Sequence, residues 1–350
     1  MIDNHKTFGR CTARLLIAGL LAAAAGTPAL ANDSTAALSA GGLIMVPNLD
    51  IEMASEDLFI SEQEVRVRYV FRNTAKQDQT VLVAFPMPDI TIRESLNITI
   101  PNDASDNFLD FKTTVDGKPV QTQLEQRALA LEIDRTAMLR DLKIPLAPYL
   151  KQTQAALDAL PQDKWKEFEA LGLGMVDEYE AGKGPERHLA PQWTLKSTYY
   201  WSQTFPAGKA LVVEHKYRPS VGMSAGTLIG LKLKDNEYAA EEQRQQMDQF
   251  CVDQAFLNGV SKASKASKNS GEVPFSDARI HYILQTGGNW SGGTIRDFKL
   301  TVDKGASENL VSFCGKDVKK ISPTQFQMTA KDFYPARNLG ILILKPYPKQ

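Results

Sequence analysis

Apolar and polar residues alternate through "EVRVRYVFRN": Val65, Val67, Tyr69 and Phe71 fall on one side, Arg66, Arg68 and Arg72 on the other. A period of two predicts a β-strand with one buried face. After the polar "NTAKQD", the stretch "QTVLVAFPMPDI" returns with Val81, Val83 and Phe85 in register. The pair reads as an antiparallel hairpin with one side in water. "SLNITI" and "FLDFKTTVDGKPV" continue the pattern, the second turning at Asp116-Gly117.

Near Leu124 the period changes. Leu124, Ala128, Leu131, Met138 and Leu142, then Leu146, Leu150, Thr153, Leu157 and Leu160, step by threes and fours. Pro161 opens a further helix carrying Trp165, Phe168 and Leu171, and "AGKGPE" closes the set. Residues 124–190 therefore read as a helical insertion between strands. Strands resume with Leu195, Tyr199, Trp201 and Phe205 on one face, followed by Leu211, Val213, His215 and Tyr217. A helix is predicted over 237–257, ending at Asn258-Gly259, and "SKASKASKNSG" reads as a polar loop. "ARIHYILQT", "GTIRDFKLTVD", "NLVSFC", "TQFQMTA" and "LGILILK" read as strands. The class is mainly β: an antiparallel β-sandwich with a helical insertion and a smaller C-terminal β-rich region. The boundaries expected are a sandwich over 32–225, a helix and polar linker over 226–278, and the C-terminal region over 279–350.

The first 31 residues stand outside that fold. Lys6, Arg10 and Arg14 precede the short apolar run Leu15–Ala25, and Ala29-Leu30-Ala31 ends in a small-x-small pattern. This is the form of a secretory signal peptide cleaved after Ala31, giving a periplasmic or secreted chain that begins at Asn32. Cys11 precedes the apolar run, so it is not a lipid-anchored cysteine. Cleavage removes three basic residues and one acid, taking the formal charge from −1 to −3. That balance gives no electrostatic case for nucleic acid as a partner. No later stretch is long and apolar enough for a transmembrane helix.

Compartment changes the meaning of the cysteines. Of three in the chain, Cys251 and Cys314 survive cleavage, and an even pair in an oxidising space reads as a disulfide. The alternative is two buried free thiols. "GMSAG", Gly222–Gly226, matches the nucleophile elbow of serine hydrolases, making Ser224 the one candidate catalytic residue. Its context argues against that reading. Pro219 interrupts the strand before it, "TLIGLKLK" after it alternates like a strand, and the only later histidine is His281. His188, His215 and His281 lie far apart with no metal-ligand spacing, and no phosphate-cradling glycine motif occurs, so neither metal nor cofactor is expected. Trp290, flanked by Gly287-Gly288 and Gly292-Gly293, is a candidate binding-loop residue or a lid over the end of the core. The arginine stripe Arg66, Arg68, Arg72 reads as a solvated face with neighbouring acids rather than an anion site.

"VRVRYVFRNTAKQDQTVLVAFPMPDI", "YYWSQTFPAGKALVVEHKYRPSVG" and "NWSGGTIRDFKLTVDKG" with the following "LVSFCGKDVKKISPTQF" together resemble a family of secreted proteobacterial proteins, the domain of unknown function 4424 family. That resemblance implies no catalytic residue. The first stretch, with Arg72-Asn73 before its turn and Phe85-Pro86-Met87-Pro88 after, resembles more weakly the vault/inter-alpha-trypsin β-sandwich used in extracellular interactions. The expected function is a non-catalytic binding or interaction module of the cell envelope, its partner an unidentified protein or small ligand there. Alternatives are a serine hydrolase using Ser224 and an envelope assembly factor.

Overall fold

A computed structural model describes residues 32–39, 42–91, 97–180, 182, 184–233, 236–266 and 273–347; the expected signal peptide, with Cys11, lies outside them. The protein is mainly β, as the alternating pattern requires, with short helices between strands. Eight strands form the largest sheet, in the order Lys319–Lys320, Gln325–Phe333, Ile295–Asp303, Ile51–Ile60, Val65–Asn73, Ala210–Tyr217, Lys112–Val115, Lys118–Val120. A seven-stranded sheet contains Gln123–Ala130, Thr194–Phe205, Gln79–Pro86 and the Ser34–Ser39/Gly42–Val46 hairpin. A five-stranded sheet contains Leu310–Phe313, Leu339–Pro346, Phe275–Tyr282, Val221–Ser224 and Asn97–Thr99.

The inward faces of all three sheets meet in one apolar core, where Tyr69 and Phe71, Phe85 and Trp201, and Tyr282 and Ile341 pack together. Sheet pairing crosses the boundaries expected from sequence. Val221–Ser224 pairs with Phe275–Tyr282, and Ile295–Asp303 runs parallel to Ile51–Ile60 in the eight-stranded sheet. The five-stranded sheet is covered on both faces. Ile341 and Ile343 face the main core, while Leu342 and Leu344 face Phe250, just after the Glu237–Gln249 helix, and Val260 of the Gln254–Ala266 helix. A strand with no wet face has no reason to alternate, and Leu339–Leu344 is correspondingly buried throughout.

Three sequence expectations are corrected. Among the described residues of 124–190 helices occupy only Thr136–Asp141, Lys151–Asp158 and Gln162–Ala170; Gln123–Ala130 is a strand, and Gly174–Glu180 pairs with Pro185–Pro191 as a hairpin. Leu124 and Ala128 are four apart, which suits a helix face and also an every-second-residue strand face. Pairing of Leu124 with Tyr199 and Ala128 with Leu195 decides for the strand. The helix expected to end at Asn258-Gly259 is two helices, Glu237–Gln249 and Gln254–Ala266, and the second runs through that dipeptide into the Ser-Lys-Ala segment. Phe256 and Val260 give that helix a packed stripe, and Lys262 and Lys265 face water. Finally, Thr227–Leu233 forms no strand.

Candidate functional site

The Ile51–Ile60 strand has a bulge between Met53 and Ser55. Strict alternation from Ile51 and Met53 would send Ser55, Asp57 and Phe59 inward. The extra residue resets the parity, so Glu56, Leu58 and Ile60 are buried instead. Glu56 is thus turned into the core, at 1% exposure.

It meets Asn32 and Asp33, both fully buried just before the Ser34–Ser39 strand. The Asn32 side-chain amide donates to Glu56 Oε2 at 3.0 Å, and Tyr69 donates to Asn32 Oδ1. Tyr69 and Tyr282 hydroxyls lie 2.9 Å apart, and Tyr282 donates to Glu56 Oε1 at 3.4 Å. Thr286 accepts from the Asn32 backbone N–H and returns its hydroxyl hydrogen to the Asn32 carbonyl at 2.5 Å. Asp33 Oδ1 is 3.0 Å from His215 Nε2, and the Asp33 carbonyl accepts the Trp290 indole N–H at 2.6 Å. Asp33 Oδ2 is buried with no hydrogen-bond partner.

Burial governs the protonation of these groups. It pushes the Glu56 carboxyl up to about 8, against the hydrogen bonds from Asn32 and Tyr282. Burial also raises Asp33, with His215 pulling the other way, and holds Tyr69 and Tyr282 well above the usual phenol range. Thr113 Oγ1 stands 3.0 Å from His215 Nδ1, so Thr113, His215 and Asp33 have the connectivity of a hydroxyl–imidazole–carboxylate relay. Access is what they lack. Thr113 is 3% exposed, and Phe85 and Phe111 enclose the imidazole at 4.8 and 5.1 Å between ring centres. The cluster can order and hold charge, but its members are buried, so a substrate would have to displace packed side chains to reach it.

Sequence reasoning missed Asn32, Asp33 and Glu56 as interior residues. The one legible signal was the parity break in "IEMASEDLFI", where apolar positions shift from odd to even numbers after Met53.

The residues singled out from sequence fall in separate places. Trp290 does not project on a glycine loop. It is 2% exposed and packs on Phe71 and Phe205 at 4.6 and 5.9 Å, which is the lid arrangement. Ser224 ends a short strand opposite Asp277, and its hydroxyl accepts from Arg279 at 3.3 Å. A hydrolase needs a proton acceptor there, and a guanidinium only donates. His215 is in the interior, His188 binds Asp158 at 2.8 Å, and exposed His281 lies beside the Phe250 ring. Among the described residues no group of three or more His, Cys, Asp or Glu could hold a metal ion, and no helix is long and apolar enough to cross a membrane. The arginine stripe is paired, Arg66 with Glu64, Arg68 with Glu214 and Arg72 with Glu52.

Cys251 and Cys314 are joined as a disulfide with 5.0 Å between their Cα atoms. Cys251 follows the Glu237–Gln249 helix at φ +50°, with its N–H on Asp248 and that of Val252 on Met247. That is the left-handed helix stop usually filled by glycine, so the cross-link sits at a fixed corner of the chain.

An open polar groove lies elsewhere. On the seven-stranded sheet a groove of about 420 Å³ is lined by Glu125, Arg127, Asp134, Ala137, Arg140 and Tyr200. Glu125 and Arg127 also line a crevice of about 160 Å³ that reaches Leu43 and Met45 of the Gly42–Val46 strand. Arg127 is tied to Asp134 at 2.8 Å and Lys196 to Asp89 at 3.0 Å, while the Leu43 N–H holds Glu125 at 2.9 Å. Arg140 is exposed, with no ion pair among the described residues.

Fold and site together define a mainly β protein with a sealed polar centre and an open, charge-lined groove on one sheet. The chain belongs to the family Domain of unknown function (DUF4424), which it matches over residues 31–342. No curated protein matches it. Among solved structures it is similar to a "putative nutrient binding protein" from Legionella pneumophila, with 14% identity over 85% of this chain and 68% of that one, at a TM-score of 0.38. A likeness that slight carries no argument about the ligand.

Proposed function

We propose that the protein is an exported, non-catalytic binding module of the cell envelope, and that it takes its partner in the groove floored by Glu125 and Arg127. The groove is the observation that carries the reading: it is solvent-open, shares Glu125 and Arg127 with a second crevice, and is lined by charges of both signs. Fixed ion pairs give it shape, and free Arg140 offers a point of attachment for an acidic group. The leader pattern of residues 6–31 and the Cys251–Cys314 disulfide support export to an oxidising compartment.

A photo-crosslinking amino acid at exposed Ala137, on the groove wall, tests this in cells producing the protein. It should give a discrete adduct that Arg140→Glu abolishes. The same group at Tyr238, 82% exposed and outside the groove, should not give it. Equal labelling from both positions would remove the groove from consideration.

A further inference from the structure

Asn32 is the residue that cleavage after Ala31 makes the first of the chain, and it has no exposed surface. Chain termini normally remain in water, because burying an ammonium without a counter-charge costs several kcal/mol. Here the counter-charge is already in place. The Asn32 side chain holds Glu56, and Asp33 follows it directly; both carboxyls are buried. His215, Tyr69 and Tyr282 are the other titratable groups facing this space, and only the histidine among them can carry positive charge. One carboxyl oxygen, Asp33 Oδ2, has no partner at all. As a peptide nitrogen, Asn32 N has a single hydrogen, given to Thr286 Oγ1. As a free amine it has three, so two more donors would enter the same sealed space.

We propose that the α-amino group released at Asn32 by removal of residues 1–31 is an internal cation of the mature protein, seated against Thr286 with its one positive charge set against the buried carboxyls of Glu56 and Asp33. Leader removal then does more than free the chain from its export route: it supplies the charge that completes the core. Glycine at 287 suits this placement, since a Cβ there would come within 2.7 Å of Asn32 Nδ2. The inference rests on cleavage after Ala31, which belongs to the export reading above.

The experiment separates the two. Mass spectrometry of the exported protein should find Asn32 at the N-terminus; a different first residue overturns both the cleavage site and the buried amine. Two chains are then made by scarless release from a fusion, one beginning at Asn32 and one at Ala31, and unfolded in denaturant at pH 7. The chain beginning at Asn32 should have an unfolding equilibrium constant at least about tenfold smaller. Combining Glu56→Gln with Asp33→Asn should abolish or reverse that difference, because the ammonium would then be buried without counter-charge. Equal stability of the two wild-type chains, with Asn32 confirmed as the native terminus, would overturn the buried amine and leave the export reading intact.

Discussion

The Asp33 carboxylate and the His215 imidazole lie 3.0 Å apart, separated by 182 residues of sequence, each with no exposed side-chain surface. Breaking such a pair from one side leaves an uncompensated polar group in the core, whereas replacing both partners removes the demand. His215→Ala should therefore lower stability by about 3 kcal/mol or more. Asp33→Ala combined with His215→Ala should cost less than the two single changes summed. Denaturant titration of the four proteins checks this, and simple additivity would show that the pair is not coupled.

Reduction of Cys251–Cys314 should destabilise the protein by about 4 kcal/mol, the loop-closure figure for a cross-link of 63 residues' separation. Non-reducing peptide mapping should recover the linked peptides, with neither cysteine alkylated until reductant is added. The reduced protein should unfold at clearly lower denaturant. Alkylation of both thiols in protein taken from its native source without reductant would count against the bond.

Trp290 is a test of lid against anchor. Trp290→Ala should cost about 3–5 kcal/mol, the range for emptying a large aromatic site. Trp290→Phe keeps much of the packing on Phe71 but loses the hydrogen bond to the Asp33 carbonyl, and should cost about 1 kcal/mol. A Trp290→Ala protein as stable as the parent would return Trp290 to the surface.

Glu56 gives a pH signature whose sign depends on what occupies the space beside it. With its carboxyl pushed from 4.5 to about 8, the folded protein holds this proton more tightly than the unfolded chain. Its contribution to stability is whole below the unfolded value near 4.5 and is lost as pH rises through about 8. A chain extended upstream of Asn32 should show this fall, and Glu56→Gln should remove it. A chain beginning at Asn32 should lack it near neutrality, because a neighbouring ammonium favours the ionised carboxylate. Unfolding midpoints between pH 5 and 8 report the difference.

What the sequence determined by itself is whatever depends on near neighbours. Val65, Val67, Tyr69 and Phe71 are buried on one face because a strand repeats every two residues whatever it later packs against. Leu157 and Phe168 are buried on the short helices for the analogous reason at a longer period. The cysteine pair followed from the count and from the oxidising compartment that the leader pattern of residues 6–31 implies. Where two periods coincide, local pattern fails. Leu124 and Ala128 fit a helix and a strand equally, and only the Thr194–Phe205 strand, some 70 residues on, supplies the backbone partners that select one. Residues 261–266 of the Ser-Lys-Ala segment failed for a related reason, the rest lying outside the described residues: their polar composition suggests a loop, but Phe256 and Val260 upstream supply the apolar stripe that docks the helix. Apart from the parity break after Met53, nothing local marked the polar centre. Asn32, Glu56, Tyr69, His215 and Tyr282 come from the residues just before the Ser34–Ser39 strand and from strands of two different sheets, and each looks ordinary where it stands. Only the stacking of those sheets closes water out of the space between them. Exclusion of water is what turns five unremarkable residues into a network whose every hydrogen bond must be found inside.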